Sequence, residues 1–164
     1  RDEALRRLRE LTAIAEDGGV VLAHENCSGW AGQSPENTLY MLDAVDSPSL
    51  QLIYDTGNTI SHGQDPWNFY SKVSGKVAYV HVKDAVREQN EVTYTFPGEG
   101  QALVPEVISD LRKRGYDGYI SIEPHIASVI HTGEEAADPE AAYRSYVKYG
   151  RMLMGIVEQA QAHA

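Results

Sequence analysis

The stretch Val77-Ala-Tyr-Val-His-Val-Lys-Asp-Ala-Val-Arg87 is a short apolar run that ends in a histidine, His81, and then turns abruptly polar. Side chains alternate along a strand, so Val77, Tyr79 and His81 share one face and Ala78 and Val80 the other. Both faces are largely apolar. A strand buried on both faces belongs to a parallel sheet covered by helices. Such sheets, open or closed, bind ligands beyond the carboxyl ends of their strands. The run therefore predicts a functional edge carrying Lys83, Asp84 and Arg87.

The rest of the chain supplies the partners such a strand needs. Leu5, Leu8, Leu11 and Ile14 or Ala15 recur at helical steps over residues 2–16, and Asp17-Gly-Gly stops that helix. Val20 to Glu25 reads as a strand, followed by a polar loop and a helix from Ser34, the cap, and Pro35 to about Val45. A strand over Leu50–Asp55 precedes a Gly- and Asn-rich stretch, Thr56 to Asp65, expected to be a loop. Pro66 opens a short helix with Trp67, Phe69, Tyr70 and Val73. After the strand that ends in His81, Glu88 to Gly100 is expected to be a loop or short hairpin, and Ala102 to Arg114 a helix. Gly115-Tyr-Asp-Gly turns into a fourth strand, Tyr119 to Glu123. A polar stretch from Pro124 to Asp138 leads to a final helix with Tyr143, Tyr146 or Val147, Gly150, Leu153 and Val157 on one stripe. Strands alternating with helices mean a parallel α/β sheet with right-handed crossovers.

Composition narrows the function classes. The 164 residues suit a single domain spanning 1–164. No apolar run approaches the roughly 20 residues of a membrane helix. With 14 Lys and Arg against 24 Asp and Glu, the net charge of −10 repels a polyanion and argues against nucleic acid as a partner. The single cysteine, Cys27, excludes an internal disulfide framework and fits a reducing cytoplasm.

Four strands finish on a potential metal ligand: Glu25, Asp55, His81 and Glu123. All four are phased with the inward positions Ala23, Ile53, Tyr79 and Ser121. In a closed barrel such residues converge on the axis. Three carboxylates there repel one another unless a cation neutralises them, and a divalent metal is the simplest resolution. Three oxygen donors and one imidazole, with no thiolate, suit Mn²⁺ first and Mg²⁺ or Co²⁺ next, ahead of Zn²⁺.

Leu22-Ala-His-Glu-Asn, Tyr54-Asp-Thr-Gly-Asn, Val80-His-Val-Lys-Asp and Gly115-Tyr-Asp-Gly-Tyr-Ile-Ser-Ile-Glu-Pro-His, in that order, resemble the carboxyl-terminal half of the xylose-isomerase-like TIM barrels. That superfamily includes sugar phosphate isomerases and epimerases, ketose 3-epimerases and inosose dehydratases. The resemblance implies a (β/α)8-type fold of which this chain supplies about four βα units. It also implies a single metal site at Glu25, Asp55, His81 and Glu123, with the two glutamates as the proton-transfer pair. The activity implied is a divalent-metal-dependent sugar or sugar phosphate isomerase or epimerase working through an enediolate. Other branches would make it an inosose-dehydratase-like lyase or an endonuclease IV-like nuclease, and a half-barrel without its other half would be a non-catalytic module.

Arg87, six residues after His81, matches a substrate-binding arginine of the ketose epimerases. Two positions depart from the pattern: Asn58 stands where a substrate-contacting histidine is implied, and Ala31 where a glutamate is implied. Lys83, on the same face as His81, is either a substrate contact or the ion-pair partner of a strand-end carboxylate. His125 is either a substrate contact or a loop anchor. His24 is expected to pack, hydrogen-bonded, against the helix layer, His62 to be solvated or to replace the contact missing at Asn58, and His131 to lie on the surface. Trp30 is expected to pack under its own loop or to wall the pocket.

A complete barrel takes about 250 residues, and this chain opens directly on a helix, without an initiator Met. It is expected to be a piece of a longer barrel or a half that assembles with a partner half or a second copy. Free, it would leave two unpaired strand edges.

Overall fold

The computed structural model describes residues 1–126 and 139–162. Four parallel strands form the sheet, in the order β1 (Leu22–Glu25), β2 (Leu50–Asp55), β3 (Val77–Val82) and β6 (Tyr119–Ile122). Around them run α1 (Asp2–Gly18), α2 (Pro35–Val45), α3 (Thr56–Ser61), α4 (Pro66–Val73), α5 (Val104–Lys113) and α6 (Pro139–Ala162). An antiparallel hairpin of β4 (Asp84–Glu88) and β5 (Glu91–Thr95) separates β3 from α5. This is a four-unit half of a (β/α)8 barrel. No described helix is long and apolar enough to cross a membrane.

The core lies on one side of the sheet only. Leu52, Tyr54, Val80 and Val82 are fully buried against Phe69, Tyr70 and Val73 of α4 and Val107, Ile108 and Leu111 of α5. Each such side chain is worth about 1.5–3 kcal/mol over leaving it in water, and together they fix the register. A one-residue slip would send Asp55 and His81 into this layer and bring Tyr54 and Val80 out of it.

The opposite, concave face is half open, contrary to the expectation for a strand buried on both sides. Ala23 is exposed, Tyr79 half-buried and Tyr119 79% exposed. Among the described residues, no element covers that face, so the inward side chains meet only their neighbours, as Tyr79 does with Tyr119 at 6.1 Å between ring centroids.

Other local differences have physical causes. Thr56 to Ser61 is not a loop but helix α3, because the Asp55 carboxylate accepts the Asn58 N–H at 2.9 Å and caps it directly at the strand end. The first strand begins at Leu22, leaving Val20 and Val21 exposed. The α5 helix starts at Val104, and β3 runs one residue past His81. In α1 the buried residues are Leu5, Thr12 and Ala15, while Leu11 and Ile14 face out. In α6 the buried residues are Tyr149, Leu153 and Ala160, while Tyr143 and Tyr146 are exposed. Tyr149 turns inward because its hydroxyl accepts the Asp84 N–H at 3.1 Å. The predicted cap of α2 is present, with the Ser34 hydroxyl accepting the Asn37 N–H.

Candidate metal centre

The side chains at the carboxyl edge are placed by a pairing ladder that continues past the strands. Asp55 lies opposite His81, and His81 opposite Ser121. Beyond β1, the fully buried Asn26 takes over the role of a backbone amide: its Oδ1 accepts the Asp55 N–H at 2.6 Å and its Nδ2 donates to the Asp55 carbonyl at 2.9 Å. Beyond β2, the Thr56 hydroxyl donates to the Lys83 carbonyl at 2.6 Å and accepts the Lys83 N–H at 3.2 Å. Beyond β3, the Val82 carbonyl accepts the Glu123 N–H at 2.9 Å. Each junction is thus locked where a ligand-bearing residue emerges.

Asn26→Ala would strand a buried N–H and a buried carbonyl on Asp55, at about 1–3 kcal/mol each. The expected result is a loss of about 2–4 kcal/mol in urea unfolding, together with weaker binding of divalent metal. An unchanged midpoint with unchanged metal affinity would show that Asp55 is placed without Asn26.

One ligand atom from each of Glu25, Asp55, His81 and Glu123 lies within 4.8 Å of the others. His81 Nδ1 stands 2.9 Å from Glu123 Oε2 and 3.8 Å from Glu25 Oε2, yet it is aligned for a hydrogen bond with neither. Asp55 Oδ2 is buried and ion-paired with the Lys83 ammonium at 2.9 Å. An imidazole nitrogen and three carboxylates converging on one point fit a divalent cation, and the donor set is hard oxygen with one imidazole.

The electrostatics point the same way. Burial pushes the Asp55 carboxyl up to about 7, against the opposing pull of Lys83 and the Asn58 N–H. His81 is raised, foremost by the adjacent Glu123 carboxylate. Glu123 is held far below the usual carboxylate range by His81 and Lys83, despite its partial burial. Burial disfavours the charge on Lys83, but Asp55 and Glu123 outweigh it and raise its pKa. The cluster thus holds its negative charge only with cations beside it.

The remaining candidates divide into those that join the cluster and those that do not. The Asn58 amide donates to Glu25 Oε1 at 2.7 Å, so it orients that carboxylate from the position where a histidine was implied. Lys83 is the ion-pair partner of strand-end carboxylates, 2.9 Å from both Asp55 and Glu123. His125 places Nε2 3.1 Å from Glu123 Oε1 and its ring edge-on to Tyr94 at 4.7 Å. Arg87 instead donates to the Ser61 carbonyl at 2.8 Å, which ties its guanidinium to the end of α3.

Trp30 packs edge-on against Tyr40, and Ala31 offers its carbonyl to the Thr38 hydroxyl. His62 is exposed at the end of α3, and Cys27 is exposed. His24 faces the helix layer, and burial lowers its pKa, but its Nε2 has no hydrogen-bond partner among the described residues, contrary to expectation. His131 lies outside the described residues. The apolar groove between α5, β6 and α6, lined by Leu111, Tyr116, Ile120 and Leu153, contains none of the cluster's side chains.

Sequence reasoning did not single out Asn26, Thr56 or Gly57. The first two could have been noticed as polar residues directly after strand-end ligands. Gly57 is needed for close approach: a Cβ there would lie 2.6 Å from Lys83 Cγ and 2.8 Å from the Lys83 carbonyl oxygen.

A profile of the xylose isomerase-like TIM barrel family matches residues 1–149. An inosose dehydratase of Clostridium perfringens is 25% identical over 160 residues, covering 86% of this chain and 52% of the relative. The chain spans about half the length of the curated relatives it matches. A solved D-tagatose 3-epimerase-like protein superposes with a TM-score of 0.75 at 27% identity, over 99% of this chain and 56% of that one. A xylose isomerase-like TIM barrel protein from Mycobacterium smegmatis, solved in complex with magnesium, gives 0.76 at 20% identity, over 98% and 51%.

Proposed function

The chain belongs to the xylose isomerase-like TIM barrel family, and on that footing we propose that it forms the metal-binding half of an isomerase or epimerase acting on a sugar or sugar phosphate. The observation that carries the reading is the convergence, within 4.8 Å, of Glu25, Asp55 and His81 from β1, β2 and β3 and of Glu123 directly after β6. These four would hold one divalent ion, Mn²⁺ by its match to oxygen donors with one imidazole, with Mg²⁺ and Co²⁺ next. A bound ion supplies a Lewis acid that draws electron density from a carbonyl and the neighbouring hydroxyl oxygen, acidifying the C–H between them.

The chain's own groups do the rest. Glu25 and Glu123, on two sides of the cluster, remove that proton and return one to the enediolate. Asn58 fixes the Glu25 carboxylate from one side, and His125 borders Glu123 from the other. Arg87 adds positive charge along the edge where an oxygen-rich substrate would lie, whereas Lys83 is held beneath it by Asp55 and Glu123. The exposed, unpaired Cys27 thiol fits the cytoplasm as the place of action.

A second reading is a lyase that dehydrates an inosose-like ketone, favoured by the inosose dehydratase among the relatives. It begins with the same proton abstraction, so product analysis separates the two.

The test is elemental analysis of the protein beside its Glu123→Ala variant, followed by a sugar and inosose screen read by NMR. About one Mn, Mg or Co per chain, lost in the variant, with an epimeric or isomeric product, is the expected result. A dehydrated product would give the lyase. No metal after reconstitution would overturn the reading. Metal affinity should also weaken as pH falls through about 7, where Asp55 in the metal-free centre takes up a proton that the ion must displace.

A further inference from the structure

Lys83 is the most deeply buried cation at this edge, 3% exposed, and nothing in the proton-transfer scheme requires it there. Its ammonium stands 2.9 Å from Asp55 Oδ2 and 2.9 Å from Glu123 Oε1, so it is shared between two of the four ligand side chains. The position is built. Thr56 holds the Lys83 N–H and carbonyl, and Gly57 leaves room for the side chain, since a Cβ there would collide with Lys83 Cγ.

A cation held between two carboxylates supplies the positive charge that a second ion would supply in a two-metal centre. Charge leads to the same assignment. Glu25, Asp55 and Glu123 bring three negative charges and Lys83 returns one. The remainder matches one divalent ion with His81 as a neutral ligand. With Lys83 replaced by a neutral or acidic side chain, the same cluster would be short of positive charge between Asp55 and Glu123.

We propose that Lys83 serves as a built-in second cation, its ammonium shared by Asp55 and Glu123, that limits the centre to one divalent metal ion. This rests on the metal centre proposed above and goes beyond it by assigning the number of ions to one side chain. Lys83 is here a positioning and selectivity residue.

The experiment is equilibrium dialysis of the full chain against Mn²⁺, with metal counted by elemental analysis and the bound ions examined by low-temperature electron paramagnetic resonance. The unaltered chain should saturate at one Mn²⁺ in large excess of metal and show the six-line spectrum of an isolated ion. Lys83→Gln and Lys83→Glu should approach two per chain, a two-fold rise, with a spectrum broadened by exchange through the shared carboxylates. Lys83→Arg keeps the charge and should remain at one.

A second, exchange-coupled ion in the unaltered chain overturns the inference without any variant having to fold. So do folded Gln and Glu variants that stay at one ion, which would leave the single-metal reading intact, or that bind none, which would make the ammonium a support for the metal. An unaltered chain that binds no Mn²⁺ removes the metal centre itself and this inference with it.

Discussion

Replacing Glu25 or Glu123 with glutamine is expected to lower solvent-deuterium exchange into a sugar substrate by about 10²–10⁴-fold, the usual contribution of a positioned general base or acid. Glutamine keeps the shape and one acceptor oxygen but cannot take up a proton at neutral pH. The two variants should differ in a second respect. Glu25 Oε1 accepts from the Asn58 amide, and a glutamine oxygen preserves that bond. Glu123 faces His81 and Lys83 at 2.9 Å each and His125 at 3.1 Å. Loss of its charge therefore leaves a buried ammonium with one carboxylate instead of two.

Both variants replace a charged member of the cluster and should weaken metal binding, but Glu123→Gln should also lose the Lys83 ion pair and stability, which makes Glu25→Gln the cleaner test of proton transfer. The measurement is deuterium uptake by NMR at saturating Mn²⁺, with bound metal counted in the same samples. Exchange that persists in both metal-loaded variants would sink the proton-transfer assignment.

The clustering of Glu25, Asp55, His81 and Glu123 was legible because it follows from period-two geometry. Once Tyr54 and Val80 are recognised as core, Asp55 and His81 must face the other way, and the ends of four apolar runs fall at one edge. The half-open concave face was not legible from β3 alone, because Val77 and Tyr79 are apolar whether or not anything covers them. Helix α3 was missed for a related reason. Thr-Gly-Asn has poor intrinsic helix propensity, and only the Asp55 cap and the burial of Thr56, Asn58 and Thr59 overcome it. The two open readings of Lys83 required the third dimension: spacing showed its face, whereas the contact with Asp55 depends on the room left at Gly57. Asp84 belongs to the polar edge predicted with Lys83 and Arg87, yet three of the four N–H groups its carboxylate accepts lie 14–18 residues ahead in the chain.

Those partners make Asp84→Ala the substitution with the largest expected effect on stability. The carboxylate is 1% exposed and accepts four backbone N–H groups: Ala85 at 2.9 Å and Ala102 at 3.0 Å on Oδ1, Gly98 at 2.8 Å and Gly100 at 3.1 Å on Oδ2. Gly100 packs so closely that a Cβ would overlap the carboxylate. This one side chain thus gathers the end of β5, the turn after it and the approach to α5. Removing it recovers the carboxylate's desolvation but leaves four amides without an acceptor, two of them partly reachable by water. With hydrogen bonds to a charged group contributing about 1.5–3 kcal/mol each and not adding fully, the net loss should be about 3–5 kcal/mol. For a chain of this size each kcal/mol shifts Tm by about 2–4 °C, so a drop on the order of 10 °C or more is expected by circular dichroism. Asp84→Asn should fall between the two: its one remaining oxygen serves one pair of N–H groups, while its NH₂ faces the other pair, donor against donor. The hairpin carries Tyr94, whose ring packs on His125 beside Glu123. Loosening it should therefore impair proton exchange in Asp84→Asn at temperatures where the variant is still folded. If Asp84→Ala lost under 1 kcal/mol and kept full exchange, the loop from Phe96 to Ala102 would have to be held by its other contacts, Gln101 N–H to the Ala85 carbonyl at 2.8 Å among them.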